Sequence, residues 1–177
     1  QGLQFVTIIV VARILSPEDF GLVAMATVVT GFLQIFSDLG SSAALIQKKD
    51  VSAELTSSLF WVNVFFGALL AGVVFGVAPL VGYFYDDLRV IDLLRVLAVA
   101  FLISGCYVIP QAMLQKELRF KTLAKVEILA TTAGAVVAIG TAINGAGVWS
   151  LVYQSLSLSV TTLVLIWFVS RWRPLLS

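Results

Sequence analysis

The feature that most constrains this chain is how few charges it carries and how far apart they fall. Residues 2–12, 20–37, 55–85, 96–115 and 128–170 contain no Asp, Glu, Lys or Arg. Crossing about 30 Å of hydrocarbon takes roughly 20 apolar residues at 1.5 Å of helix rise each, and most of these stretches reach that length. The last is twice too long for one crossing and contains Asn144-Gly145-Ala146-Gly147, a turn signal, so it reads as two helices. Hydrophobic residues make up 60% of the chain and charged residues 12%, with a mean hydropathy of +1.04. An average soluble domain carries about 25% charged residues. A soluble fold cannot bury this much apolar surface.

The fold class read from this pattern is an all-α integral membrane protein. It is a single unit over 1–177, with helices at about 1–15, 17–47, 54–85, 88–115, 120–142 and 146–170. The chain opens Gln1-Gly2-Leu3 inside an apolar run that ends at Arg13, so the first helix is expected to be truncated. A run without a basic flank that leads into further apolar spans is not expected to be a signal peptide. The second helix has the best marked start: Ser16 is an N-cap, Pro17 suits the first helical position, and Glu18 and Asp19 favour the positive end of the dipole. Gly72 and Gly76, and Ala130 and Gly134, place small residues four apart, which reads as close helix packing within the unit. Pro110 is expected to kink the fourth helix near its cytoplasmic third.

Orientation follows from the eleven Lys and Arg residues. Lys48, Lys49, Lys116, Arg119, Lys121, Lys125, Arg171 and Arg173 fall at one set of helix ends, and Arg13, Arg89 and Arg95 at the other. Positively charged loops stay in the cytoplasm, so the 47–54 and 115–125 loops and both ends of the chain are expected there. Trp61, Trp167 and Trp172 then mark the cytoplasmic interface, and Tyr83, Tyr85 and Trp149 the outer one.

Histidine is absent and Cys106 is the single cysteine, which excludes an intrachain disulfide and histidine-based metal or triad chemistry. No P-loop element occurs. The basic run 116–125 reads as a solvated loop beside anionic headgroups, with no nucleic acid partner. No cofactor or metal is expected. The informative residues are polar groups within the spans, because a charge at mid-membrane costs about 2.5–3.5 kcal/mol on insertion scales. Asp38 is either an ion-coupling or polar cavity site or a cap for a helix restart at Gly40. Arg13 either holds a substrate phosphate or snorkels to the lipid headgroups. Glu127, beside Lys125, reads as interfacial. Gln4, Gln34, Asn63 and Gln154 either hydrogen-bond a sugar or tie helices together. The candidate substrate-binding set is Arg13, Asp38, Gln34 and Asn63.

The stretch Ala12-Arg13-Ile14-Leu15-Ser16-Pro17-Glu18-Asp19-Phe20-Gly21 resembles the start of the polysaccharide transporter (Wzx-type) flippases, within the multidrug/oligosaccharidyl-lipid/polysaccharide exporter superfamily. Asp38-Leu39-Gly40 through Ala44-Leu45-Ile46-Gln47, Pro110-Gln111-Ala112-Met113-Leu114-Gln115-Lys116, and Leu118-Arg119-Phe120-Lys121 with Leu123-Ala124 follow in the expected order. The pattern is most similar to the colanic-acid and exopolysaccharide exporter branch. The resemblance implies two six-helix lobes around a central cavity that work by alternating access. It implies a cargo of undecaprenyl-diphosphate-linked oligosaccharide, moved across the bacterial cytoplasmic (inner) membrane for O-antigen, capsule or exopolysaccharide assembly. On that comparison the chain corresponds to the N-terminal lobe, with the C-terminal lobe absent. The implied partners are the lipid-linked oligosaccharide, membrane lipids, the missing C-terminal lobe, and polysaccharide polymerase and chain-length proteins. The resemblance also gives Arg13 weight as a cavity cation facing a diphosphate.

A drug or metabolite exporter of the same superfamily would share the lobe, and Asp38 suits a cationic cargo. A membrane-embedded glycan polymerase or ligase would need catalytic groups in a sizeable outer loop, whereas the outer loops around Ser16, Asp86 and Asn144 are only a few residues long. The expectation is therefore a transporter and not an enzyme, with a non-transporting scaffold as the remaining alternative.

Overall fold

The computed structural model describes residue 7 and residues 9–38, 52–170 and 172–174. Those residues form five long helices: α1 (Pro17–Asp38), α2 (Ala53–Phe84), α3 (Arg89–Lys116), α4 (Phe120–Ile143) and α5 (Trp149–Val169). Residues 9–12 are helical ahead of α1, and no strand occurs among the described residues. The last four helices fall within a few residues of their expected bounds. The expected helices over 1–15 and 17–47 extend in part outside the described residues.

Local chemistry sets the helix starts. Ser16 Oγ accepts from the Asp19 amide at 3.2 Å while the Ser16 amide donates to the Asp19 carboxylate at 3.1 Å. This reciprocal cap satisfies two amides that the first turn leaves without helical partners. Ser52 caps α2 with a single bond, its hydroxyl accepting from the Leu55 amide at 3.2 Å. The α4–α5 turn bends through Gly145 at φ +79° and Gly147 at φ +54°, values that cost glycine little.

Segments within α2, α4 and α5 are long and apolar enough to cross a membrane, and α3 makes a fourth span if its two halves count as one. Those halves, Arg89–Gly105 and Val108–Lys116, meet at a 42° bend, the kink that Pro110 was expected to impose. Large apolar side chains lie bare on the outside, with Phe65 71%, Leu80 68% and Phe168 83% exposed. Surfaces of this kind are stable against lipid tails and unstable against water. The chain is a multi-pass membrane protein.

Two hairpins, α2–α3 and α4–α5, join where α3 packs on α5, and α1 lies against α3. The main core gathers Leu22 and Ala26 of α1, Val74 of α2, Leu93, Leu94 and Ala98 of α3, and Val152 of α5. A second core seats the chain before α1 on α4 through Val11, Leu15, Ala138 and Ala142. Backbones approach most closely where α2 crosses α3: a Cβ on Gly67 would lie 2.7 Å from the Phe101 carbonyl oxygen, and one on Gly105 2.7 Å from that of Asn63. The expected small-residue packing therefore needs one correction. Ala130 and Gly134 are buried, Gly134 against α5, but Gly72 and Gly76 face open space among the described residues. Close approach on α2 falls instead at Gly67.

Candidate functional site

Helices α1, α3 and α5 all run in the same direction, and between them lies a groove. Two adjoining cavities of about 540 and 260 Å³ share Thr27, Thr30, Leu97 and Ser155, making one continuous cleft. Near the helix starts its walls are apolar, with Phe20, Leu93 and Leu151. Further along they carry hydroxyl and amide groups: Thr27 and Thr30 from α1, Ser104 and Tyr107 from α3, and Gln154, Ser155 and Ser159 from α5. Spacings of three and four residues hold each helix's polar pair on one face. No charged side chain lines the groove among the described residues.

Hydrogen bonding decides what these groups can offer. Thr27 Oγ1 donates to the Val23 carbonyl at 2.7 Å, Thr30 Oγ1 to that of Ala26 at 3.0 Å, and Ser104 Oγ to that of Phe101 at 2.8 Å. Their protons are committed to the helix, and their oxygens stay available as acceptors. Gln154 adds an amide with two donors and an acceptor. Such a lining suits a neutral, hydroxyl-rich ligand. A bare phosphate would find no cation in it.

Charge collects outside the groove, beside the helix starts. The Arg89 guanidinium bonds Glu18 of α1 and both carboxylate oxygens of Asp87, the latter at 2.8–3.2 Å. The Arg89 side-chain hydrogen bond, followed by its backbone amide, holds the Asp87 carboxyl below its ordinary value. The network ties the first turn of α1 to the α2–α3 turn.

The residues expected to bind substrate fall at three places along the described helices. Arg13 is exposed in the turn ahead of α1. Asp38 ends α1, about 32 Å away along the helix axis from Pro17. Gln34 also lies toward that end, and the side chains of Gln34 and Asp38 fall outside the described residues. Asn63 sits half-buried at the α2–α3 crossing, with Nδ2 donating to the Leu59 carbonyl at 2.7 Å. Neither Arg13 nor Asn63 lines the groove. Gln154, one of the polar residues noted within the spans, does line it. The other groove hydroxyls were visible in the sequence only as spaced pairs on separate helices.

Residues 10–177 match a family described as "Polysaccharide biosynthesis protein". The chain is 31% identical over 173 residues to the succinoglycan biosynthesis transport protein ExoT of Rhizobium meliloti (strain 1021), covering 98% of this chain and 35% of the relative. It is 41% identical over 99 residues to the teichuronic acid biosynthesis protein TuaB of Bacillus subtilis (strain 168), covering 56% and 20%. It is 31% identical over 133 residues to the lipopolysaccharide biosynthesis protein WzxC of Escherichia coli (strain K12), covering 75% and 27%. The chain thus spans about a third or less of the length of these relatives. No solved structure matches it. With the match running from residue 10 to the last residue, the chain belongs to the polysaccharide biosynthesis protein family.

Proposed function

We propose that this chain is one six-span lobe of a flippase that moves undecaprenyl-diphosphate-linked oligosaccharides from the cytoplasmic to the outer leaflet by alternating access. The observation that carries the reading is the uncharged groove of hydroxyls and amide between α1, α3 and α5. Sugar hydroxyls are both donors and acceptors, and this lining meets both needs with groups whose own helical bonds remain intact. The names of the relatives, a succinoglycan transport protein and a lipopolysaccharide biosynthesis protein among them, support a glycan cargo. On this reading both ends of the chain face the cytoplasm. A second, six-helix lobe closes the cavity, and polymerase and chain-length proteins take up the product outside. Arg13 contacts the diphosphate, and Asp38 serves as a charged or proton-carrying site.

Deleting the complete transporter from its host tests the reading. Surface glycan should fall and lipid-linked oligosaccharide should accumulate in the cytoplasmic leaflet. Normal surface glycan with increased sensitivity to cationic drugs would favour a drug exporter instead.

A further inference from the structure

We propose that a second groove, beside Trp167, is a binding site for an anionic glycerophospholipid, with an acyl chain in the groove and the lipid phosphate on Arg173. This cavity of about 600 Å³ lies apart from the α1–α3–α5 cleft and is walled by Phe60, Cys106, Leu163, Val164, Trp167 and Phe168. Arg173 is the one charged residue in its lining among the described residues.

The walls are fixed from several directions. Trp167 meets Phe60 edge-on at 6.0 Å, and its indole N–H donates to the Cys106 carbonyl at 3.0 Å. Beyond α5, Trp172 also packs on Phe60 at 5.7 Å. The Arg173 guanidinium lies 5.3 Å from the Trp167 ring centroid, with Nη1 donating to the carbonyls of Ser170 and Trp172 at 2.9 Å each. Carbonyl bonds occupy a single guanidinium nitrogen, leaving the other N–H groups of this exposed residue for a phosphate.

Charge complementarity selects the occupant. The groove is apolar along its length and cationic at one end, and no carboxylate faces it among the described residues. A lipid with a net negative headgroup matches both ends, whereas a zwitterionic lipid brings its own cation to Arg173. The stretch from α3 into α4 carries a net positive charge as well, with Lys116, Arg119, Lys121 and Lys125 against Glu117, which pairs with Arg119 at 3.8 Å, and Glu127. This inference rests on the membrane reading of α5 and is independent of the cargo proposed above.

The test uses the full-length transporter in proteoliposomes containing either phosphatidylglycerol or phosphatidylcholine with a photoreactive group on one acyl tail, present in both leaflets. Headgroup selectivity is then read whichever leaflet the groove faces, so a failed orientation or cargo assignment does not disturb the outcome. Crosslinks from phosphatidylglycerol should map to Leu163, Val164 and Phe168 and exceed those from phosphatidylcholine. Arg173→Gln should lower the phosphatidylglycerol signal about fivefold, the worth of one basic residue near an anionic surface. Val164→Trp should lower it with the charge intact, by filling the groove. Equal labelling by both lipids, unchanged labelling in Arg173→Gln, or no crosslink at these positions because another part of the transporter covers them would each overturn the proposal.

Discussion

The indole of Trp167 donates a 3.0 Å hydrogen bond to the carbonyl of Cys106, the group four residues before Pro110 that proline leaves without its helical donor. The 42° bend of α3 lies in the same turn. A proline kink frees a carbonyl, and in hydrocarbon that carbonyl must find another partner. A residue of α5 supplies it, which fixes α5 against the bend.

Trp167→Phe should therefore destabilise the protein by about 1–2 kcal/mol, since it keeps most of the ring packing and strands a carbonyl. Adding Pro110→Ala restores an amide at the position that can bond Cys106. Thermal unfolding in detergent should show the double variant recovering part of the loss. Additive losses in the double variant would contradict this account of the kink.

The α2–α3 crossing predicts a contrast between glycines. Gly67→Ala and Gly105→Ala each place a methyl group 2.7 Å from a backbone oxygen, which should cost about 1–3 kcal/mol as the helices move apart. Gly72→Ala meets nothing within 4 Å and should be neutral or mildly stabilising through helix propensity. Melting temperatures and membrane yields of the three variants check this. Equal effects at positions 67 and 72 would contradict it.

These glycines show what the sequence could and could not reveal. Signals confined to a few neighbouring residues were legible: the Ser16–Asp19 cap, the turn at Gly145 and Gly147, and the break at Pro110 all depend on local chemistry. Gly67 and Gly105 meet across 38 residues of chain, and nothing in a G-x-x-x-G spacing such as Gly72–Gly76 tells which face a neighbour will cover. The groove was hidden for the same reason. Thr27 with Thr30 and Ser104 with Tyr107 are ordinary polar pairs until α1, α3 and α5 come together around one space. Arg13 and Asp38, the charged residues singled out in the sequence, lie one in the turn before α1 and one at its last residue.

Acid should weaken the link between α1 and the α2–α3 turn. Bonding to Arg89 holds the Asp87 carboxyl below its ordinary 3.8. A folded-state value below the unfolded one contributes stability at pH above the unfolded value and loses it as pH falls through the folded value. The stability gap between wild type and Asp87→Asn should be small, as befits an exposed pair. It should be fully present at neutral pH and disappear as the pH drops below 3.8. A gap that widens in acid would contradict the assignment.

Topology can be read in intact cells. With Cys106 replaced, a single cysteine at position 87 should react with an impermeant thiol reagent and one at position 121 should not. The reverse pattern would invert the proposed orientation.

The central claim is that the groove carries a glycan during translocation, and a reconstituted flipping assay measures it most directly. Full-length transporter in proteoliposomes is given an undecaprenyl-diphosphate-linked oligosaccharide, and the fraction crossing to the opposite leaflet is followed with time. Gln154→Leu with Ser155→Ala should slow crossing about tenfold, since two lost hydrogen bonds of ~0.5–1.5 kcal/mol each correspond to that factor. The variant protein should retain its normal melting temperature. Wild-type rates in the double variant, or wild-type protein that crosses substrate no faster than empty vesicles, would contradict the account.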